Sequence, residues 1–193
     1  MRVLTVAALS LLVVSCTSSA PAPSSTAAPA TAPAASAQKV VGTLNQVMRG
    51  ILFPNSNIIF DAQSNDPAKP PDPKEKGSGS ASALYASTYG GWEAVENASI
   101  ALGEAANLVS LPGRSCANGK PVPLNDPTFQ KGLAALRDAS AVAYKAAQAK
   151  NMDQVLDAAD KVTMACATCH DVYRDVQVDG KPAGIEARCN PKG

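Results

Sequence analysis

Apolar residues recur along this chain at alternating steps of three and four, the spacing of one buried helix face. Four stretches carry that period. In the first, Gln38 to about Phe53, the residues Val41, Leu44, Met48 and Ile51 share a face. Pro54 then ends or kinks the helix, and Ile58-Ile59-Phe60 carries the apolar stretch onward. In the second, Trp92, Val95, Ala98, Leu102, Ala105 and Val109 form the seam, stopped by Pro112-Gly113. The third opens on Asp126-Pro127, a helix cap with Pro at the first helical position, and continues through Phe129, Leu133, Leu136, Ala143 and Ala147. The fourth runs Met152, Val155, Ala159, Val162, Cys166, Cys169, Tyr173 and Val176. Stretches rich in Pro, Gly and Ser, from Gln63 to Ser82 and from Pro112 to Asn125, read as exposed connections. Four amphipathic helices with no strand pattern predict an all-α, antiparallel four-helix bundle. A helical fold of different connectivity is the alternative.

Composition adds a shortage. Of the 193 residues 46% are hydrophobic, but alanine inflates that share, and only 4% are aromatic. So few large side chains leave room in the core for something else. Charge is balanced, with 17 basic and 16 acidic residues, and Arg2 falls in a leader. That balance excludes the basic footprint of a nucleic-acid binder and gives no steering field of either sign. A single His removes histidine-cluster metal sites and leaves little for an acid–base triad.

The N-terminal end predicts export. Met1-Arg2 precedes an almost wholly apolar run from Val3 to Val14, which has signal-peptide length and is too short to span a bilayer. The run ends Val13-Val14-Ser15-Cys16, which resembles a bacterial lipobox, in which Cys16 is acylated and the chain is cut before it. An ordinary signal cut after Ala35-Ser36-Ala37 is the competing reading, at a poor distance from the apolar run. Thr17 to Ala37 contains only Ala, Pro, Ser and Thr, too little apolar surface to offset ordering, and reads as a solvated tether. The predicted organisation is thus a signal peptide over 1–15, a lipidated Cys16 with its tether over 16–37, and a folded domain over 38–193. The expected location is the bacterial periplasm, at a membrane. Thr17 stands where an Asp often signals inner-membrane retention, which leans toward the outer membrane.

The candidate chemistry lies near the C-terminus. Cys166-Ala167-Thr168-Cys169-His170 is the C-x-x-C-H pattern of covalent c-type haem attachment. A chain of this composition would contain it by accident roughly 0.0007 times. On a helix the two thiols, three apart, share one face, so both sulfurs reach vinyl groups on one haem edge while His170 turns its imidazole to the iron. Thioredoxin-like chemistry wants a βαβ setting, and zinc wants a fourth ligand. Both thiols lie on the inward seam, so a porphyrin would supply the missing aromatic volume.

The run Cys166-Ala-Thr-Cys-His-Asp-Val-Tyr-Arg174, late in the last of four helices, resembles class II c-type cytochromes, the cytochrome c-prime group, and the resemblance covers roughly residues 38–178. Class I cytochromes carry the motif near the N-terminus with a Met after it, and this chain does neither. The resemblance implies thioethers at Cys166 and Cys169, His170 as proximal ligand, and Arg174 beside the proximal haem face. A surface helix charge is the other reading of Arg174, and Tyr173 reads as core. The family's first helix covers the distal face. Some members place a Met ligand there, and others leave the iron five-coordinate. Of the Met residues beyond the leader, Met152 and Met164 share a helix with His170, which leaves Met48 as the candidate sixth ligand, with simple packing as its alternative role.

The remaining thiols, Cys116 and Cys189, lie in loop-like segments of an exported chain and are expected to pair as a disulfide, against the alternative of two free thiols. Two functions follow. The first is a membrane-tethered, non-enzymatic carrier of single electrons through one covalent haem c, meeting redox partner proteins. The second is a five-coordinate protein that binds nitric oxide or carbon monoxide. The resemblance also brings the family's frequent homodimer into view, on which these residues are silent.

Overall fold

The computed structural model describes residues 38–69 and 89–189. The leader, Cys16 and the tether to Ala37 lie outside the described residues, as does most of the loop after Gln63. Helices α1 (Leu44–Val47) and α2 (Phe53–Asp61) are joined without a break by a π-helical turn, Met48–Leu52. Then come α3 (Gly91–Val109), α4 (Pro127–Gln148) and α5 (Met152–Tyr173). Taking the α1–π–α2 rod as one helix, the domain is an all-α bundle of four. α4 packs between α3 and α5, and the rod closes against α3 with a smaller contact to α5. The tight turn at 149–151 makes α4 and α5 antiparallel neighbours.

Most of the expected seam of each of the last three helices is buried, while Trp92 and Met152 are half-buried and Val176 lies beyond the end of α5. Val95, Ala98, Leu102, Ala105 and Val109 of α3, Phe129, Leu133, Leu136, Ala143 and Ala147 of α4, and Val155, Ala159 and Val162 of α5 all belong to the core. Asp126 caps α4 by accepting the Thr128 N–H at 2.8 Å, and Asn151 caps α5 by accepting the Gln154 N–H at 3.0 Å.

The first helix departs from expectation at both ends. It begins at Leu44, not Gln38, and Val41 is 78% exposed outside the seam. The reason is a capping box: the Thr43 hydroxyl accepts the Gln46 N–H at 3.3 Å, and the Gln46 side chain accepts the Thr43 N–H at 2.8 Å. Gly42, at φ 73°, turns the chain into it. Nor does Pro54 end the helix. A proline ring collides with the carbonyl four residues back and leaves it without a donor. Here the preceding turn widens, so that the Phe53 N–H reaches the Met48 carbonyl. Side chains then take the exposed carbonyls: Asn55 Nδ2 donates to Ile51 O and Asn57 Nδ2 to Phe53 O, each at 2.7 Å. The proline is absorbed as a local π turn.

The C-terminal segment holds a short hairpin where no strand was expected. β1 (Gln177–Val178) pairs antiparallel with β2 (Lys181–Pro182) across Asp179-Gly180, whose positive φ values of 52° and 72° suit a primed turn. A single 3₁₀ turn, Ile185–Ala187, follows.

Arg114 ties the connection between α3 and α4 to the start of the first helix. It is 3% exposed. Its Nε donates to Leu108 O at 3.0 Å, and its Nη1 donates to Val41 O and Gly42 O at 3.0 and 2.8 Å. One guanidinium thus serves the last turn of α3 and the entry of α1, a suitable partner for the negative end of a helix dipole. Arg114→Ala is expected to cost about 3 kcal/mol in urea unfolding of the holoprotein, since charge-assisted hydrogen bonds are worth about 1.5–3 kcal/mol each and are not additive. A loss below about 0.5 kcal/mol, the size of ordinary surface changes, would show that water replaces it.

Candidate functional site

The residues singled out from the sequence converge on one chamber. Between the helices lies a cavity of about 370 Å³, within the roughly 300–1,000 Å³ of small-molecule sites. From α5 it receives Cys166, Cys169, His170 and Tyr173, and Arg174 at the helix end. The first helix contributes Leu44, Met48 and Leu52; α3 contributes Leu102 and Val109; α4 contributes Phe129, Gly132, Leu133 and Leu136. The remaining wall is the Cys116–Cys189 disulfide with Arg188. The structure therefore pairs the two thiols left over in the sequence and places that pair in the wall of the chamber.

Neither Cys166 nor Cys169 is bonded to another cysteine. Burial pushes both thiols up, Cys169 to about 11, with the neighbouring Cys166 as the lesser cause. Both are therefore protonated at neutral pH. Cys169 Sγ lies 3.9 Å from the Phe129 carbonyl. Burial, helped by the Arg174 charge, pushes His170 below its usual range. Its imidazole is neutral at pH 7, the form that ligates a metal.

Tyr173 is buried, edge-on to Phe129 with ring centroids 5.6 Å apart. Its hydroxyl faces the Asp126 carboxylate. Burial first and that carboxylate second push the phenol up. Arg174 closes α5 and is half-exposed at the chamber rim. Its Nε and Nη2 bind both oxygens of Asp175, at 2.8 and 2.6 Å.

The three methionines of the described residues are sorted by position. Met164 is 67% exposed. Met152 is half-buried at the start of α5 and does not line the chamber. Met48 is half-buried, lines the chamber, and opens the π turn. Such turns recur at functional sites because they re-aim a side chain.

Three features were not read from the sequence. Gly132 approaches α5 so closely that a methyl there would overlap the Cys169 sulfur. Arg114 and Arg188 are the others, single charges in a loop and a tail with no period to mark them. For Gly132 the available signal was a lone glycine inside a helical pattern, which often marks a close approach.

The comparisons with known proteins bear on the C-terminal helix pair. Residues 122–174 match the family model described as cytochrome C'. Over these residues the C-terminal helix pair is similar to cytochrome C'. The match takes in all of α4 and α5, the C-x-x-C-H motif and Arg174, whereas Met48, Cys116 and Arg188 lie outside it. No curated protein and no solved structure matches the chain. The cytochrome C' assignment implies a covalently bound haem c. The chamber fits that group in two respects: largely apolar walls, and two free thiols beside a neutral imidazole. Among the described residues no group of three or more His, Cys, Asp or Glu side chains gathers into a metal site of its own.

Proposed function

We propose that this chain is an exported, membrane-tethered c-type cytochrome that passes single electrons between redox partner proteins through one haem c. Cys166 and Cys169 hold the haem by thioethers, His170 is the proximal ligand and Met48 the sixth. The observation that carries the reading is the shared chamber, which brings Met48 from the first helix and the C-x-x-C-H residues from α5 to one apolar space. Haem c supplies an iron that cycles between ferric and ferrous states, and His/Met ligation raises its potential.

The chain's own part is ligation, burial and orientation. The α5 backbone holds both thiols on one face, and burial keeps His170 neutral. Met48 opens the π turn before Pro54 and lines the chamber. The tether is read from Cys16 and the segment behind it. Among the described residues no helix is long and apolar enough to cross a membrane, so the attachment rests on that lipidated end. The periplasm is the compartment that fits export, haem c and a persistent disulfide together.

The test is the visible spectrum of the reduced holoprotein with Met48→Ala beside it. The native protein is expected to show low-spin bands and to resist carbon monoxide, and the variant to become high-spin and bind it at once. A native protein that is already high-spin and binds carbon monoxide immediately would instead be the five-coordinate gas binder.

A further inference from the structure

Four arginines border the chamber or its supports; Arg114 and Arg174 are committed, and Arg49 lies exposed on the first helix. Arg114 donates to three backbone carbonyls. Arg174 is held by both oxygens of Asp175. Arg188 differs. It lines the chamber, and its Nε is buried without any hydrogen-bond partner. The charge of Arg188 is felt at Asp175, but that carboxylate is already occupied by Arg174.

The backbone around Arg188 is nonetheless firmly held. The Arg188 N–H donates to Ile185 O at 3.1 Å, and the Arg188 carbonyl accepts Asn118 Nδ2 at 2.9 Å. The neighbouring Glu186 carbonyl accepts Lys120 Nζ at 2.9 Å. Cys189 is bonded to Cys116, donates its N–H to Tyr173 O at 2.9 Å, and sits at φ 58°, a left-handed conformation that a non-glycine residue adopts at some cost. A tail pinned this closely beside an unsatisfied guanidinium nitrogen is unexpected in a finished core, because a buried donor with no acceptor is destabilising. It is expected where the acceptor arrives with a ligand. Arginine's planar fork matches a carboxylate in two-point geometry.

We propose that Arg188 is the counter-ion for a carboxylate side arm of the bound haem, and that the Cys116–Cys189 clamp positions it there. The proposal rests on the haem reading above. It makes the C-terminal tail, which lies outside the cytochrome C' match, a part of the cofactor site. It also gives the disulfide a role beyond stability: it would hold a positive charge at the chamber of a cofactor that takes up an electron.

The test uses the full-length holoprotein, with haem c content measured first by the alkaline pyridine spectrum. Arg188→Gln is expected to lower the midpoint potential and to shift the propionate bands in resonance Raman spectra. Arg188→Lys should keep most of the potential and lose the two-point propionate signature. Cys116→Ala with Cys189→Ala, which frees the tail while leaving Arg188 in place, should reproduce the Arg188→Gln shifts in direction. If Arg188→Gln fails to fold, the lysine and double-alanine variants carry the same comparison. Unchanged potential and unchanged propionate bands in haem-loaded variants would overturn the role of Arg188 alone. So would native propionate bands that move when inorganic phosphate is added, which would assign the guanidinium to a free anion. Native protein with no haem c would overturn the haem reading itself.

Discussion

Replacing both Cys166 and Cys169 with Ser is expected to give a protein whose pigment, if any is retained, passes completely into acidified organic solvent. The native protein should keep its colour in the aqueous phase. Each sulfur lines the chamber beside His170, and no other unpaired cysteine lies among the described residues. The consequence extends to stability. The chamber measures about 370 Å³. At about 24 cal/mol per Å³ of unfilled cavity, an empty chamber of that size is worth at most about 9 kcal/mol. That is comparable with the whole stability of an ordinary domain, about 5–15 kcal/mol. The double variant should therefore unfold in urea far earlier than the holoprotein and with a broadened transition. Pigment that resisted extraction from the double variant would remove the basis for the entire site.

Gly132→Ala is expected to lower haem c loading severalfold while the helices survive. A methyl at this position would overlap the Cys169 sulfur, whereas the Cys169 Cβ and the Thr168 methyl stand at an ordinary 3.6 Å. An unattached sulfur can swing about its single side-chain torsion. One that must meet a porphyrin edge cannot. Overpacking of this kind commonly costs about 1–3 kcal/mol, against a gain of up to about 1 kcal/mol from replacing a mid-helix glycine by alanine. Gly103→Ala separates the two effects, because its methyl meets only the Ser140 Cβ at 3.5 Å. Gly103→Ala should load haem normally and unfold no earlier than the native protein. Equal loading of both variants would show that the Gly132 approach does not serve attachment.

The helices and the attachment motif were legible for a common reason. Both rest on short-range spacing. Steps of three and four place Val155, Ala159, Val162, Cys166, Cys169 and Tyr173 on one face whatever the rest of the chain does. Where a second rule competed, the period misled. Val41 continues the apolar period but is left outside the helix, because the capping box at Thr43 and Gln46 starts the helix after it. Pro54 reads as a stop, yet the helix passes through it, because the preceding turn widens into a π turn that accommodates the ring. The capping box was itself readable as Thr-x-x-Gln. The rescue of Pro54 was not, since it depends on burial against α3.

What the residues settle alone is whatever a few neighbours along the chain can enforce: helix faces, caps, and two thiols next to an imidazole. Properties that join distant segments came from the fold. Met48 shares a chamber with His170 because the first helix closes against α3 and α5. Arg114 reaches back 73 residues to Val41, and the tail is bonded to a loop 73 residues upstream. Gly132 matters only because α5 lies against it. No local period encodes such contacts. They exist because four apolar faces must be buried together, and that burial decides which lone side chains meet.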